Sequence, residues 1–147
     1  MNLIIAEKPS VGRELAGIVG AKERKDGYIS GNGYIVTWAV GHLTELATPE
    51  EYDENLKAWK LDTLPVIPDR FKTIVSKKTS RQYKIVKDLM NSKEVTEIIC
   101  ATDAGREGEL IFRRIYEQAK CRKPVKRLWI SSMEEKAIRQ GLSAMKD

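Results

Sequence analysis

Cysteine is scarce. The 147 residues contain two, Cys100 and Cys121, and no Cys-x-x-Cys pair, which excludes a disulfide framework and argues against a zinc site. Cys100 sits in an apolar run and reads as a small buried hydrophobe. Histidine occurs once, at His42. No apolar run approaches the roughly 20 residues that a membrane span needs. The N-terminus, Met1-Asn2-Leu3-Ile4-Ile5-Ala6-Glu7, lacks a basic lead and meets a carboxylate too early for a signal peptide. The reducing cytoplasm is therefore the expected setting. There is no internal repeat and no low-complexity tract.

Charge is what the chain has in quantity. Charged residues make up 32% and hydrophobic residues 41%, the composition of a soluble globular protein. A length of 147 residues suits one domain with a sizeable core, here taken as residues 1–147. The net charge is +5, and all of that excess lies between residues 60 and 90. There Lys60, Arg70, Lys72, Lys77, Lys78, Arg81, Lys84 and Lys87 stand against Asp62, Asp69 and Asp88. A localised excess of this kind suits a polyanionic partner, and a solvated lysine-rich face is the plainer alternative.

Residues 3–6 form a short apolar run, the pattern of a buried strand. Pro9 suits the first position of a helix, where a missing N–H costs nothing. Val11, Leu15, Ile18 and Val19 then share one helical face. Glu7 and Lys8 thus fall at a strand-to-helix turn. Residues 27–40 predict a hairpin around Gly31-Asn32-Gly33. A long irregular segment follows, punctuated by Pro49, Pro65 and Pro68, with a short helix expected near residues 50–57. Its length hints at a functional surface. Residues 71–75 read as a strand. Thr79 or Ser80 is placed to cap a helix over residues 81–91, with Ile85, Leu89 and Val86 facing inward. Residues 95–101 and 125–130 read as further strands. Ser132-Met133-Glu134-Glu135 has the capping-box pattern and predicts a last helix carrying Ala137, Ile138, Leu142 and Met145. This order implies an α/β fold: a mainly parallel sheet with helices on both faces and a hairpin insertion.

The informative stretch is residues 98–112. An apolar β-branched run breaks into Asp103, Gly105, Arg106, Glu107, Gly108 and Glu109, then resumes with Leu110, Ile111 and Ile115 at helical spacing. In doubly wound sheets ligands bind at the carboxyl ends of the strands. Three carboxylates so close together repel and need a cation, a basic partner or water. If the strand before Glu7 neighbours the strand before Asp103, Glu7 faces Asp103 and Glu107. Carboxylate oxygens without His or Cys companions suit a hard cation. Mg²⁺ takes one or two carboxylates from a protein and completes its shell with water and substrate phosphate. The residues therefore point to a Mg²⁺-assisted phosphoryl-transfer or nucleic-acid site. Taken singly, Glu107 and Glu109 are also ordinary first-turn helix residues favoured by the helix dipole.

Three motifs, Glu7-Lys8-Pro9-Ser10, Trp38-Ala39-Val40-Gly41-His42-Leu43 and Ala101-Thr102-Asp103-Ala104-Gly105-Arg106-Glu107-Gly108-Glu109, resemble in this order the N-terminal Toprim domain of bacterial type IA DNA topoisomerases, with topoisomerase III the nearest subgroup. The resemblance covers essentially the whole chain. It implies a Rossmann-like Toprim fold and an acidic, Mg²⁺-associated centre of Glu7, Asp103 and Glu107. It implies that Glu7 protonates the leaving 3′ oxygen and takes the proton back on resealing. Lys8 stabilises charge on the scissile phosphate. Arg106 and His42 are implied as further DNA contacts. Glu109 is not assigned as a ligand. The family's pattern is Asp-x-Asp-x-Glu, and Gly105 stands where its second aspartate is expected. That puts in doubt a two-metal arrangement or tight metal binding by this domain alone.

Such enzymes cut one DNA strand through a tyrosine held in another domain, pass a second strand and reseal. None of Tyr28, Tyr34, Tyr52, Tyr83 and Tyr116 matches a nucleophile motif. The resemblance thus implies a fragment of a larger, nucleoid-associated cytoplasmic enzyme. Its partners are single-stranded or underwound DNA and the enzyme's remaining domains, and the fragment is expected to be inactive alone. Two other readings share part of the pattern: a stand-alone Toprim nuclease that hydrolyses phosphodiesters with water, and a non-enzymatic DNA-binding α/β module.

Overall fold

The computed structural model describes residues 1–146. A six-stranded sheet forms its centre, in the order Glu23–Lys25, Tyr28–Gly31, Tyr34–Trp38, Asn2–Ala6, Glu97–Ala101, Val125–Arg127. β1 (Asn2–Ala6) lies parallel to β4 (Tyr34–Trp38) on one side and to β7 (Glu97–Ala101) on the other, and β7 is parallel to β8 (Val125–Arg127). β3 (Tyr28–Gly31) and β2 (Glu23–Lys25) close one edge antiparallel. The mainly parallel sheet and the hairpin insertion are as the sequence predicts. β2 was not anticipated, because its three residues are all charged and exposed and carry no alternation.

The central strands are buried on both faces, and their alternation sorts the helices. Leu3, Ile5, Ile98 and Cys100 point to one side, where α2 (Ser80–Asn91) and α3 (Arg106–Gln118) add Tyr83, Val86, Met90, Ile111, Phe112 and Ile115. Ile4, Ala6, Ile99 and Ala101 point to the other, against Leu15, Ala16 and Val19 of α1 (Pro9–Val19) and Ile138 of α4 (Glu135–Ser143). Each such buried aliphatic side chain contributes about 1.5–3 kcal/mol. α1 and α3 thus cover opposite faces of neighbouring strands. The crevice between the carboxyl ends of β1 and β7 is a topological switch point, where ligands bind in open α/β sheets.

Several local expectations are corrected. The inward face of α2 is Tyr83, Val86 and Met90, with Ile85 and Leu89 only half-buried. Thr79 is the N-cap residue but makes no side-chain capping bond. The segment near residues 50–57 holds short 3₁₀ turns, Pro49–Glu51 and Glu54–Leu56, rather than one helix. The strand expected over residues 71–75 is β6 (Thr73–Val75), paired with β5 (Thr44–Leu46) in a separate small sheet. The Ser132 capping box does not form. Ser132 Oγ accepts instead from Glu134 N at 3.2 Å, and α4 starts only at Glu135.

Candidate active site at the carboxyl edge of β1 and β7

Glu7 and Lys8 follow β1 directly. Lys8 is extended (φ −147, ψ 158), as a residue before proline must be, and Pro9 opens α1. Thr102 and Asp103 follow β7, and Gly105 is the N-cap of α3. Ala6 and Ala101 are partners in the parallel register, so both turns leave the sheet at the same level. The structure accordingly brings Glu7 to Asp103: the backbone N–H of Asp103 donates to Glu7 Oε2 at 2.7 Å. Ala39 N–H donates to Ala6 O at 2.9 Å, which carries the loop after β4 along the same edge. Gly41, with φ +65, turns that loop so that His42 Nε2 lies 3.1 Å from Glu107 Oε1. Glu7 thus meets the backbone of Asp103 and His42 meets Glu107, two separate contacts at the same edge of the sheet. Lys8 and Arg106 are exposed, and among the described residues their side chains take part in no hydrogen bond or ion pair.

The acidic turn rests on a group that pattern reading passed over. Arg127 at the end of β8 is 13% exposed. Its Nη2 donates to Thr102 O at 2.9 Å and Asp103 O at 2.7 Å, and its Nη1 to Thr102 Oγ1 at 2.9 Å and Cys100 Sγ at 2.6 Å. It also lies 3.5 Å from Glu109 Oε2. A part-buried guanidinium thus holds the backbone of the acidic turn and gives one of its carboxylates, Glu109, a basic partner. Glu109 is further engaged with Arg113 at 2.7 Å, and that bond holds the Arg113 guanidinium above its ordinary value. The only signal of Arg127 in the sequence was a cation inside a short strand. Thr102, itself buried, donates from Oγ1 to Gly108 O at 2.8 Å.

Two glycines of the turn play different parts. A Cβ on Gly108 would sit 2.2 Å from Asp103 O, so only glycine lets the turn fold onto the first turn of α3. Gly105 is extended (φ −169) and a Cβ there would meet nothing within 4 Å. The missing aspartate was therefore not displaced by crowding.

Among the described residues no three of His, Cys, Asp and Glu converge as a metal cage. Glu7 Oε2 is occupied by the Asp103 N–H and Glu107 Oε1 faces His42. The donor set is hard oxygen from two or three carboxylates. It does not fit a resident, tightly held ion. It does fit Mg²⁺ whose shell is completed by water and substrate phosphate.

Comparison with known proteins agrees with this geometry. Residues 2–133 match the Toprim domain family. DNA topoisomerase 3 of Staphylococcus saprophyticus is 54% identical over 146 residues, covering 99% of this chain and 20% of the relative. DNA topoisomerase 3 of Shouchella clausii is 51% identical over 144 residues, with 98% and 20% covered. The structure of full-length topoisomerase I from Thermotoga maritima superposes with a TM-score of 0.61 at 21% identity, over 96% of this chain and 20% of that one. The chain thus spans about a fifth of the length of the relatives it matches. Sequence match, strand order and the paired acidic turns agree: the chain belongs to the Toprim domain family.

Proposed function

We propose that this chain is the Toprim catalytic domain of a type IA DNA topoisomerase of the topoisomerase III kind. It acts on single-stranded or underwound DNA together with a tyrosine supplied by the remaining domains of the same enzyme, in the cytoplasm at the nucleoid. The observation that carries the reading is the 2.7 Å contact joining Glu7 to the Asp103 turn at the switch point of the sheet.

In this reading the scissile phosphate lies over the carboxyl edge of β1 and β7. The tyrosine oxygen attacks phosphorus and becomes linked to the 5′ phosphate. Glu7 delivers a proton to the departing 3′ oxygen and recovers it on resealing. Lys8 offsets charge on the phosphate oxygens. Arg106, exposed on the first turn of α3, and His42, beside Glu107, hold neighbouring phosphates. Asp103 and Glu107, with Glu7 at their margin, would hold Mg²⁺. That ion would neutralise phosphate charge and draw the strand onto the edge. Arg127 touches no substrate; it fixes the backbone of Thr102 and Asp103 and so positions the acidic turn.

The test is Glu7→Gln in the longer polypeptide that carries this domain. Relaxation of negatively supercoiled DNA should fall by about 10²–10⁴-fold, the usual contribution of a positioned general acid. The 147-residue chain alone should relax nothing. Full activity of the Glu7→Gln enzyme would overturn the assignment. Metal-dependent hydrolysis of DNA or RNA by the chain alone would instead identify a stand-alone nuclease.

A further inference from the structure

The basic excess between residues 60 and 90 divides in two. Residues 60–72 carry three cations against two carboxylates, in an irregular segment that also exposes the apolar side chains Leu61, Ile67 and Phe71. Residues 77–88 carry five cations against one carboxylate, Asp88. These five are Lys77 and Lys78 in the turn before α2, and Arg81, Lys84 and Lys87 on α2 itself, all exposed because Tyr83, Val86 and Met90 take the inward face.

We propose that this face of α2 is a phosphate-binding track that carries a DNA strand onward from the Glu7–Asp103 edge. The inference rests on the DNA reading above and extends it to a second surface. Position is the first argument. Gln82 Nε2 donates to Trp38 O at 2.8 Å, which fixes the first turn of α2 at the carboxyl end of β4. Trp38 pairs with Ala6, the residue before Glu7, and the loop leaving Trp38 runs to His42 beside Glu107. The start of the basic face and the acidic site therefore lie along one edge of the sheet. Val40 of that loop shares a cleft of about 260 Å³ with Lys78, Thr79 and Arg81.

Charge is the second argument. Lys77, Arg81, Lys84 and Lys87 follow at spacings of three or four, where like charges on a helix repel. Arg81 is answered by Asp26 at 2.6 Å, from the turn before β3. Lys77, Lys78, Lys84 and Lys87 take no ion pair among the described residues. A row about 15 Å long, from ten residues at about 1.5 Å each, is thus left for an external polyanion. An acidic protein surface would satisfy the charge equally, but only a nucleic acid also accounts for the continuity with the phosphate site.

The experiment uses the 147-residue chain and a fluorescent oligothymidylate, with anisotropy titrations from 50 to 200 mM salt. Two quadruple variants, matched in net charge and checked for folding by circular dichroism, are compared. One is Lys77→Gln, Lys78→Gln, Lys84→Gln, Lys87→Gln; the other is Lys22→Gln, Lys57→Gln, Lys93→Gln, Lys136→Gln. Each phosphate contact on a single strand contributes about 0.7 to the slope of log affinity against log salt. The α2 variant should lose about 1.4 or more in slope, and the control less than about 0.7. Equal losses in the two variants would reduce the effect to net charge and overturn the track. An unchanged slope in the α2 variant would return the face to an acidic protein partner. If Lys8→Gln and Arg106→Gln weaken binding while the α2 variant does not, the track fails and the DNA reading stands. A wild-type chain that does not bind the oligonucleotide overturns both.

Discussion

The two strand-to-helix turns that meet at the carboxyl edge are built on different principles. After β1 the chain enters α1 at once: Glu7, Lys8, then Pro9 at the first helical position. Proline's fixed φ and the restriction it places on Lys8 set this turn locally. After β7 the chain makes a wider excursion through Asp103, Ala104 and Gly105 before α3 begins. Local bonds from Gly105 N to Asp103 O and from Thr102 Oγ1 to Gly108 O shape that path but do not fix it alone. It is also held by the Arg127 guanidinium, by Glu7, and by the close approach of Gly108. One turn is stiff by its own sequence. The other also depends on two distant residues, Glu7 and Arg127, and the candidate metal-holding carboxylates Asp103 and Glu107 sit on it.

This difference predicts which turn breaks first. Gly108→Ala should be the most damaging single change, since a Cβ 2.2 Å from the Asp103 carbonyl oxygen meets rigid backbone. A loss of about 3 kcal/mol is expected by urea denaturation. The corresponding glycine of the first turn, Gly12, would place its Cβ 2.6 Å from the Trp38 ring, a side chain that can shift. Gly12→Ala should cost about 1 kcal/mol, and equal costs at the two positions would erase the contrast.

Arg127→Met comes next. It keeps an apolar stem but removes the donors to Thr102 O and Asp103 O, and should cost about 2 kcal/mol. Arg127→Lys should recover little, because an ammonium cannot reproduce the planar fork. Amide exchange at Asp103 and Ala104 should accelerate in both variants, while exchange at Lys8 stays as it was.

The smallest effect on stability is expected at Gly105. The site is open and the backbone extended, so Gly105→Asp should change stability by less than about 0.5 kcal/mol. It adds a carboxylate between Asp103 and Glu107, and Mg²⁺ affinity measured by calorimetry should rise about tenfold. An unchanged affinity would show that Gly105 is not what limits metal binding.

The parallel strands at the centre of the sheet were legible because residues 3–6 and 95–101 are largely apolar runs bounded by charged turns. The nearness of Glu7 to the Asp103 turn was legible only as a condition on strand order, which the pairing of Ala6 with Ala101 fulfils. Arg127 was not. Its partners lie 24 and 25 positions away, and no periodicity marks a strand-end cation as a buried clamp. Nor did the sequence indicate that His42 would reach Glu107, since a glycine-turned loop after β4 makes that contact. At Ser132 the hydroxyl bonds two residues ahead rather than three, a local competition that a four-residue pattern cannot resolve. Between residues 47 and 72 prolines and charges break every period, so only the irregularity itself could be read.

The central claim is that Asp103 and Glu107 hold Mg²⁺ only in partnership with a DNA phosphate. It is tested most directly by titrating Mg²⁺ into the labelled chain, with and without a short single-stranded oligonucleotide, while following the amide resonances of residues 103–107. Weak, millimolar responses are expected from the protein alone, with clear tightening when the oligonucleotide is present. Responses that are absent at millimolar Mg²⁺ in both cases, or equally tight in both, would contradict it.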